Sequence, residues 1–344
     1  MLNNIITIND TDIGKHHSPY VIAEAGSNFN QDIDTARQLI DIAADAGANA
    51  VKFQLFRADS LYPNGGELFE VFKAIELNSD WVPVLADHAK QHDIDFLASA
   101  FDVASLGVLE KVGVLVHKIA SSETANLAFV HQVASTGKPV IISTGMCDMV
   151  DVEEAVNVCI GAGNTQIALM QCGTMYPLPT EAANLKVISS FSQRFNCPTG
   201  FSDHTLGQTS AITSIGLGAS IFEKHFTLDR DSEGPDHFYA MEPDELKIYI
   251  SALHEAHNSL GSPVKEMLPD ERKLGRREGL YFTKDLGVGT IITANDIIAK
   301  RPAIGLRARY SNVIPGAVVK RPVKADDAIH WELLSFPTTQ IEST

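Results

Sequence analysis

Two histidines follow short apolar runs in the segment between residues 200 and 237. His204 lies in GFSDHTLG and His225 lies in EKHFTLD, and neither is flanked by a cysteine. A structural zinc site normally closes with four protein ligands, whereas a catalytic metal site keeps positions open for water or substrate. Two imidazoles at neighbouring strand ends therefore predict an open site for a divalent metal ion.

Other polar residues follow apolar runs in the same way, and their types suit an anionic substrate. The clearest examples are Glu24, Lys52, Gln54, Lys118 and Tyr176. Lysines supply point charges for phosphate or carboxylate groups, and hydroxyls supply directional donors. A carboxylate such as Glu24, placed after apolar or small residues in a strand, is costly to bury without a purpose. Together these residues predict an enzyme that holds an anionic substrate beside a metal-bound one.

Eight β-rich runs alternate with helical patterns over residues 1–262, which predicts an α/β fold. The runs are YVIAEAG (20–26), ANAVKFQ (48–54), DFLASAF (95–101), LVHKIAS (115–121), PVIIST (139–144), QIALMQC (166–172), CPTGFS (197–202) and SIFEKHF (220–226). Eight strand–helix units indicate a (β/α)₈ TIM barrel, whose active site lies at the carboxyl ends of the strands. A doubly wound sheet is the alternative, but the chain contains no GxGxxG motif.

The last part of the chain differs in composition from the barrel. Residues 263–282 are charged and contain prolines, and we interpret them as a linker. Residues 283–344 contain short strands and turns with two similar phrases, VGTIITANDI (288–297) and KADDAIHWELL (324–334). This pattern predicts a small β-rich domain with an internal pseudo-repeat.

Composition limits the functional class. With 44% hydrophobic and 20% charged residues, the chain has the composition of a soluble globular protein. Its net charge of −16 argues against a general surface for nucleic acid or an anionic membrane. The N-terminus lacks a signal-peptide pattern, and no apolar run is long enough to span a bilayer. Four cysteines without CxxC spacing favour reduced thiols and a cytoplasmic location, although a nucleophilic Cys172 remains an alternative.

An ordered set of motifs resembles the sialic acid synthase family. The motifs are IAEAGSNFNQ, VKFQLF, KIASSE, STGM, TMYPLP, FSDHTLG, EKHFTLD, GPDH and KRPAIGL, and they run from about residue 20 to residue 310. The resemblance implies a TIM barrel followed by a C-terminal SAF (antifreeze-like, β-clip) domain, in a domain-swapped homodimer. It also implies an N-acetylneuraminate synthase reaction. In that reaction phosphoenolpyruvate condenses with the N-acylated hexosamine N-acetylmannosamine and water, releasing phosphate.

The same resemblance assigns roles to residues by matching position. Glu24 would be the catalytic carboxylate, and His204 and His225 would bind the metal, usually Mn²⁺, with Co²⁺, Mg²⁺ or Zn²⁺ as alternatives. Phosphoenolpyruvate would be held by Lys52, Ser99, Lys118, Ser121, Ser143 and Ser202. The sugar would be held by Gln54, Asn64, Tyr176 and Asp236, with Arg301 supplied by the SAF domain of the other subunit.

Four positions depart from the commonest pattern of the family, namely Phe29, Ser122, Gln171 and Thr174. None removes a metal ligand or Glu24, so they bear on the identity of the sugar. A 2,4-diacetamido-trideoxyhexose giving legionaminate or pseudaminate, and mannose giving deaminated sialic acid, stay open as alternatives. Two other classes also stay open. A metal-dependent aldolase or lyase would not need so many hydrogen-bond donors for phosphate. A carbohydrate- or ice-binding protein would leave the polar residues of the barrel without a function.

Overall fold

The computed structural model describes residues 2–63 and 65–337, and it divides into two compact units, Met1–Gly261 and Ser262–Thr344. The first unit begins with a hairpin of β1 (Ile6–Ile8) and β2 (Thr11–Ile13). Asn9 and Asp10 form its turn with φ of 44° and 63°, a left-handed conformation that these two residue types tolerate. The three isoleucines of the hairpin, Ile6, Ile8 and Ile13, are buried and pack against side chains inside the barrel.

Eight parallel strands close into the barrel that follows the hairpin. They are β3 (Tyr20–Gly26), β4 (Ala50–Leu55), β5 (Asp95–Ala100), β6 (His117–Ile119), β7 (Val140–Ser143), β8 (Ile167–Cys172), β9 (Thr199–Asp203) and β10 (Ala219–His225). Each strand pairs with the next, and β10 pairs with β3 to complete the ring. The predicted (β/α)₈ barrel is confirmed, and every strand overlaps the run in which it was predicted.

Helices surround the strands. They are α1 (Ile33–Asp45), α2 (Ala58–Leu61), α3 (Glu67–Ala74), α4 (Val82–Gln91), α5 (Val103–Val112), α6 (Leu127–Ala134), α7 (Met149–Gly161), α8 (Lys186–Phe195), α9 (Thr209–Gly216) and α10 (Pro243–Leu260). Acidic side chains begin several of them: Asp32 accepts a hydrogen bond from the Asp34 N–H, and Asp102 accepts one from the Ser105 N–H. None of the helices in the described ranges combines the length and hydrophobicity that crossing a bilayer requires.

The inside of the barrel is apolar at one end and polar at the other. Strand side chains alternate between the helices and the interior, so Tyr20, Ile22 and Glu24 of β3 share the inward face. Inward residues in or next to seven of the eight strands form one apolar cluster: Tyr20, Ile22, Ala50, Leu97, Val116, Ile141, Ala168, Met170 and Ile221. This cluster contains the hairpin isoleucines, so the hairpin fills the amino end of the barrel and leaves the polar residues at the carboxyl end.

The second unit has its own small core. It contains α11 (Pro269–Lys273) and two antiparallel pairs, β11 (Gly279–Phe282) with β12 (Ile297–Lys300), and β13 (Val318–Val319) with β14 (Leu334–Ser335). The two similar sequence segments, residues 288–297 and 324–334, have the same local structure. In each, a single 3₁₀ turn leads into a short strand. We expected residues 279–282 to belong to the linker. They form β11 instead, because these residues are buried and their backbone pairs with that of β12.

Candidate active site

A cavity of about 390 Å³ opens at the carboxyl end of the barrel strands. Twelve of the fourteen side chains predicted for the site line it: Glu24, Lys52, Gln54, Ser99, Lys118, Ser121, Ser143, Tyr176, Ser202, His204, His225 and Asp236. They come from all eight strands or from the loops that follow them. Residues separated by up to 212 positions therefore meet in one volume, because the barrel brings the strand ends to a common rim.

Two buried lysines and two buried carboxylates form the floor of the cavity. Lys52 Nζ lies 2.7 Å from Glu24 Oε2 and 3.7 Å from Glu223 Oε2, and Lys118 Nζ lies 3.5 Å from Glu223 Oε1. Each of these side chains is less than 10% exposed. Glu223 therefore lies between the two lysines and pairs with both, while Glu24 pairs with Lys52 alone.

Serine hydroxyls complete this floor. Lys52 donates to Ser99 Oγ at 3.1 Å, and Lys118 donates to Ser143 Oγ at 2.7 Å. Ser202 Oγ donates to Glu223 Oε1 at 3.1 Å. Ammonium and hydroxyl groups on one concave surface are suited to binding the oxygens of a phosphate or a carboxylate.

Burial and pairing shift the pKa values of these groups in opposite directions. For Glu223, burial raises the pKa, but Lys118 and Lys52 lower it further, to about 2. For Glu24, burial and the Glu223 charge raise the pKa more than Lys52 and Gln54 lower it, so this carboxyl holds a proton more readily than usual. Burial also lowers the pKa of Lys118. Glu223 thus stays ionised, and Glu24 is the more basic of the two carboxylates.

The two predicted metal-binding histidines lie beside each other, with ring centroids 5.4 Å apart. His204 Nδ1 donates to the carbonyl of Gly173 at 2.6 Å, which leaves Nε2 free to act as a ligand. Burial lowers the pKa of His225 to about 3, so its imidazole is neutral, as metal ligation requires. For His204, burial lowers the pKa, but Cys172 and the Gly173 carbonyl raise it more, giving a net increase.

This donor set fits a metal site that the protein closes only in part. Within the described residues, no third His, Cys, Asp or Glu lies close enough to join His204 and His225 in a compact three-ligand group. Water or substrate oxygens would occupy the other positions, as in catalytic rather than structural sites. The residues therefore fit a metal site with two histidine ligands and open positions. The identity of the ion stays a prediction.

An aromatic and acidic wall lies above the histidines. The Tyr176 ring centroid is 4.2 Å from that of His204 and 5.3 Å from that of Tyr239. Asp236 accepts hydrogen bonds from Tyr239 Oη at 2.9 Å and from Ser27 Oγ at 3.2 Å. Gly26, with φ of 53°, lets Asp236 approach, since a Cβ at this position would lie 3.0 Å from Asp236 Oδ2. Such a wall can stack on a sugar and bind its hydroxyls.

Cys172 lies at the edge of the same cavity. Its Sγ is 3.9 Å from His204 Nδ1, but that nitrogen is already engaged by the Gly173 carbonyl at 2.6 Å. Burial raises the pKa of the thiol, but His204, Ser121 and Lys118 together lower it more. The thiol is therefore beside an imidazole, as the nucleophile alternative requires, although the shorter contact of that imidazole is to a carbonyl.

Sequence reasoning did not single out Glu223 and Tyr239 as site residues. Glu223 precedes the predicted ligand His225 by two residues, so strand alternation places both on the inward face. Glu123, noted only as part of a strand-end motif, also lines the cavity, and burial raises its pKa to about 7. The alternation of side chains along the strand was the signal that could have identified Glu223. No comparable pattern marks Tyr239, which lies outside the strands.

Asn64 and Arg301 are the two other residues predicted for the site. Asn64 lies outside the described residues. Arg301 belongs to the second unit, where its side chain is 65% exposed and its Nε lies 3.9 Å from Glu278 Oε1. The predicted contacts of both residues with a sugar stay predictions.

Comparison with known proteins follows the same division of the chain. The model of the NeuB family matches residues 39–265, and the model of the SAF domain matches residues 277–335. The chain belongs to the NeuB family. The resemblance to the sialic acid synthase family and the presence of a C-terminal SAF domain are thereby confirmed.

Individual relatives of this NeuB-family chain make several sugar acids. The N,N′-diacetyllegionaminic acid synthase of Campylobacter jejuni is 35% identical over 90% of this chain and 98% of its own length. The human N-acetylneuraminate-9-phosphate synthase is 30% identical, covering 96% and 97%. The citrate complex of the N-acetylneuraminic acid synthetase of Leptospira borgpetersenii has a TM-score of 0.75 and 31% identity, covering 79% of this chain and 95% of that one. The family is thus one of nonulosonate synthases.

Proposed function

We propose that this protein condenses phosphoenolpyruvate with an N-acylated hexosamine and water, giving a nine-carbon 2-keto sugar acid and phosphate. The observation that carries the proposal is the floor of Lys52, Lys118 and serine hydroxyls lying beside His204 and His225 in one cavity. The floor suits the phosphate and carboxylate of phosphoenolpyruvate, and the wall of Tyr176 and Asp236 suits a sugar. The names of the relatives support the same class of reaction.

The charges of the floor support a role for a metal ion. If both carboxylates are ionised, Glu24 and Glu223 cancel the two lysines, and an anionic substrate would meet no net positive charge. A divalent ion bound by His204 and His225 would add positive charge and would polarise the aldehyde oxygen of the open-chain sugar.

Protein groups can then direct the remaining bond changes. C3 of phosphoenolpyruvate bonds to the aldehyde carbon, water adds to C2, and the C2–O bond to phosphate breaks. Glu24, which accepts a hydrogen bond from Gln54 Nε2 at 3.1 Å, is placed to orient this water and take its proton. Lys52 and Lys118 hold the departing phosphate, and Glu123, with its pKa of about 7, can supply a proton to it.

A second acceptor is favoured by the apolar lining of the cavity mouth. Besides its polar residues, the cavity is lined by Leu61, Tyr62, Val71, Phe72, Ile75 and Phe101. A 2,4-diacetamido-trideoxymannose carries a methyl group where N-acetylmannosamine carries a hydroxymethyl group, and it therefore loses less hydration against such a surface. The legionaminic acid synthases among the relatives agree with this acceptor.

For Arg301 we infer the role that the family resemblance implies. In a domain-swapped homodimer its exposed guanidinium would reach the acyl group of the sugar bound in the other subunit. Mixing inactive Arg301→Ala and His204→Ala chains and refolding them together is then expected to restore part of the activity. An absence of rescue would indicate that each chain completes its own site.

The direct test is phosphate release from phosphoenolpyruvate in the presence of Mn²⁺ and one of three sugars: N-acetylmannosamine, mannose or 2,4-diacetamido-trideoxymannose. Release with one sugar that stops on addition of a chelator supports the proposal and names the acceptor. His204→Ala protein is the matched control, and its full activity would refute the metal site. If no sugar yields phosphate but a keto acid is cleaved to pyruvate, the aldolase or lyase alternative replaces the synthase.

A further inference from the structure

Asp41, His88 and His92 form a compact group on the outside of the barrel. Asp41 lies in α1, His88 lies in α4, and His92 is the residue that follows α4. His88 Nε2 is 2.7 Å and His92 Nε2 is 3.3 Å from the same atom, Asp41 Oδ1. One ligand atom from each residue therefore lies within 4.8 Å of the other two.

The geometry of the two helices aims these groups at one point. Residues four apart on a helix share a face, so the rings of His88 and His92 lie side by side with centroids 4.6 Å apart. α1 packs against α4 through buried apolar residues, which fixes the carboxylate opposite the two rings. The side chains of Asp41, His88 and His92 are 41%, 21% and 39% exposed, so an ion can reach them without unfolding of either helix.

This group is separate from the candidate active site. Helices of a (β/α)₈ barrel run back toward the amino ends of the strands. Asp41 lies in the second half of α1, and His92 comes three residues before β5 begins at Asp95. His204 and His225 lie at the opposite, carboxyl ends of β9 and β10. A ligand at one group would therefore not share donors with the other.

We propose that Asp41, His88 and His92 bind one divalent transition-metal ion, with Zn²⁺ as the ion best suited to them. Two imidazole nitrogens and one carboxylate oxygen make a three-ligand set that Zn²⁺ accepts, with water in the fourth position. Co²⁺, Ni²⁺ and Cu²⁺ can use the same ligands. The bound ion joins the end of α4 to α1, and it stabilises the folded barrel because the unfolded chain does not hold the three ligands together.

Zn²⁺ titration by calorimetry tests the proposal in a protein that lacks the active-site imidazoles. The full chain carrying His204→Ala and His225→Ala is expected to bind one Zn²⁺ and to unfold at a higher temperature when Zn²⁺ is present. Adding His92→Ala removes a ligand and should weaken Zn²⁺ binding at least about tenfold and abolish the thermal shift. His131→Ala, at an exposed histidine of α6, is the matched control and should change neither quantity.

If the His204→Ala/His225→Ala protein does not fold, the same substitutions can be tested in the otherwise wild-type chain. There, His92→Ala or Asp41→Asn should lower the number of bound Zn²⁺ ions by one, whatever the barrel cavity binds, and should leave phosphate release unchanged. Zn²⁺ binding that neither substitution alters would overturn the proposal, as would a folded His204→Ala/His225→Ala protein that binds no Zn²⁺. Both outcomes are independent of whether the synthase reaction is found.

Discussion

Replacing Glu223 by glutamine tests whether this carboxylate holds the two active-site lysines in place. Glutamine has nearly the same shape, so the substitution removes the charge with little change in volume. Lys118 would lose its nearest carboxylate, now 3.5 Å away, and Lys52 would retain only Glu24. We therefore expect a less stable barrel and a weakened phosphate-binding floor.

The size of the effect follows from the pKa of Glu223. The lysines lower this pKa from its ordinary 4.5 to about 2, despite burial. At about 1.4 kcal/mol per pKa unit, the ionised carboxylate is stabilised by about 3 kcal/mol in the folded state. Loss of one partner from a buried ion pair typically costs about 3–5 kcal/mol, which agrees with this figure. The expected loss in the free energy of unfolding is therefore about 3 kcal/mol.

The sign of the pH dependence is fixed by the lowered pKa. The ionised carboxylate stabilises the folded state fully when the pH is above 4.5, the pKa of Glu223 in the unfolded chain. This stabilisation is lost as the pH falls toward about 2, the pKa in the folded protein. Urea unfolding in a Trp331→Phe background isolates the barrel, because Trp81 is then the remaining tryptophan. The difference in stability between the protein with Glu223 and its Glu223→Gln variant should be full at about pH 7 and reduced by roughly half near pH 3.

Glu255→Gln, at an exposed position of α10, is the matched control and should alter stability by less than about 0.5 kcal/mol. A Glu223→Gln barrel as stable as the wild type at neutral pH would contradict the role of this carboxylate between the two lysines. So would a difference that stays constant as the pH falls toward 3, because the carboxylate would then act through packing alone.

Three further results are expected, each with its own measurement. Mn²⁺ affinity, followed by calorimetric titration, should fall on acidification from above about pH 6.5, because the pKa of His204 is raised; a constant affinity would argue against ligation. Glu123→Gln should lower kcat and remove the transition near pH 7 from the pH–rate profile, and an unchanged profile would exclude the proton role. Cys172→Ser should retain phosphate release, since the Gly173 carbonyl orients His204; complete loss would favour the thiol nucleophile.

The barrel could be predicted because each strand carries a local signal that its burial reinforces. Fully buried parallel strands are nearly continuous apolar runs, and β3, β7 and β8 are of this kind. The N-terminal hairpin was missed although ITINDTDI alternates apolar and polar residues around a turn-forming Asn9–Asp10 pair. Its strands are only three residues long, too short for the pattern to stand out.

The chemistry of the site was predicted less completely than its location. Glu223 and Lys224 are neighbours in one strand, and both are buried. Alternation from His225 indicates that Glu223 faces inward, but only the structure shows that Glu223 pairs with Lys52 and Lys118, whereas Lys224 pairs with Asp203 at 3.2 Å. A sequence gives the residue types at a strand end and, by alternation, the face they share, but their partners depend on the packing of the whole barrel. The proton affinities of Glu24 and Glu123 likewise depend on burial that no single segment encodes.

The hairpin at the amino end of the barrel has a consequence for the order of events in turnover. With that end filled, ligands enter and leave the polar layer from the carboxyl end. Lys52 is 3% exposed at the floor, whereas Tyr176 near the mouth is 43% exposed. In the proposed reaction, phosphoenolpyruvate would then load before the sugar, and the sugar acid would depart before phosphate. An acceptor analogue that binds only in the presence of phosphoenolpyruvate would reveal this compulsory sequence, and tight binding to the free protein would rule it out.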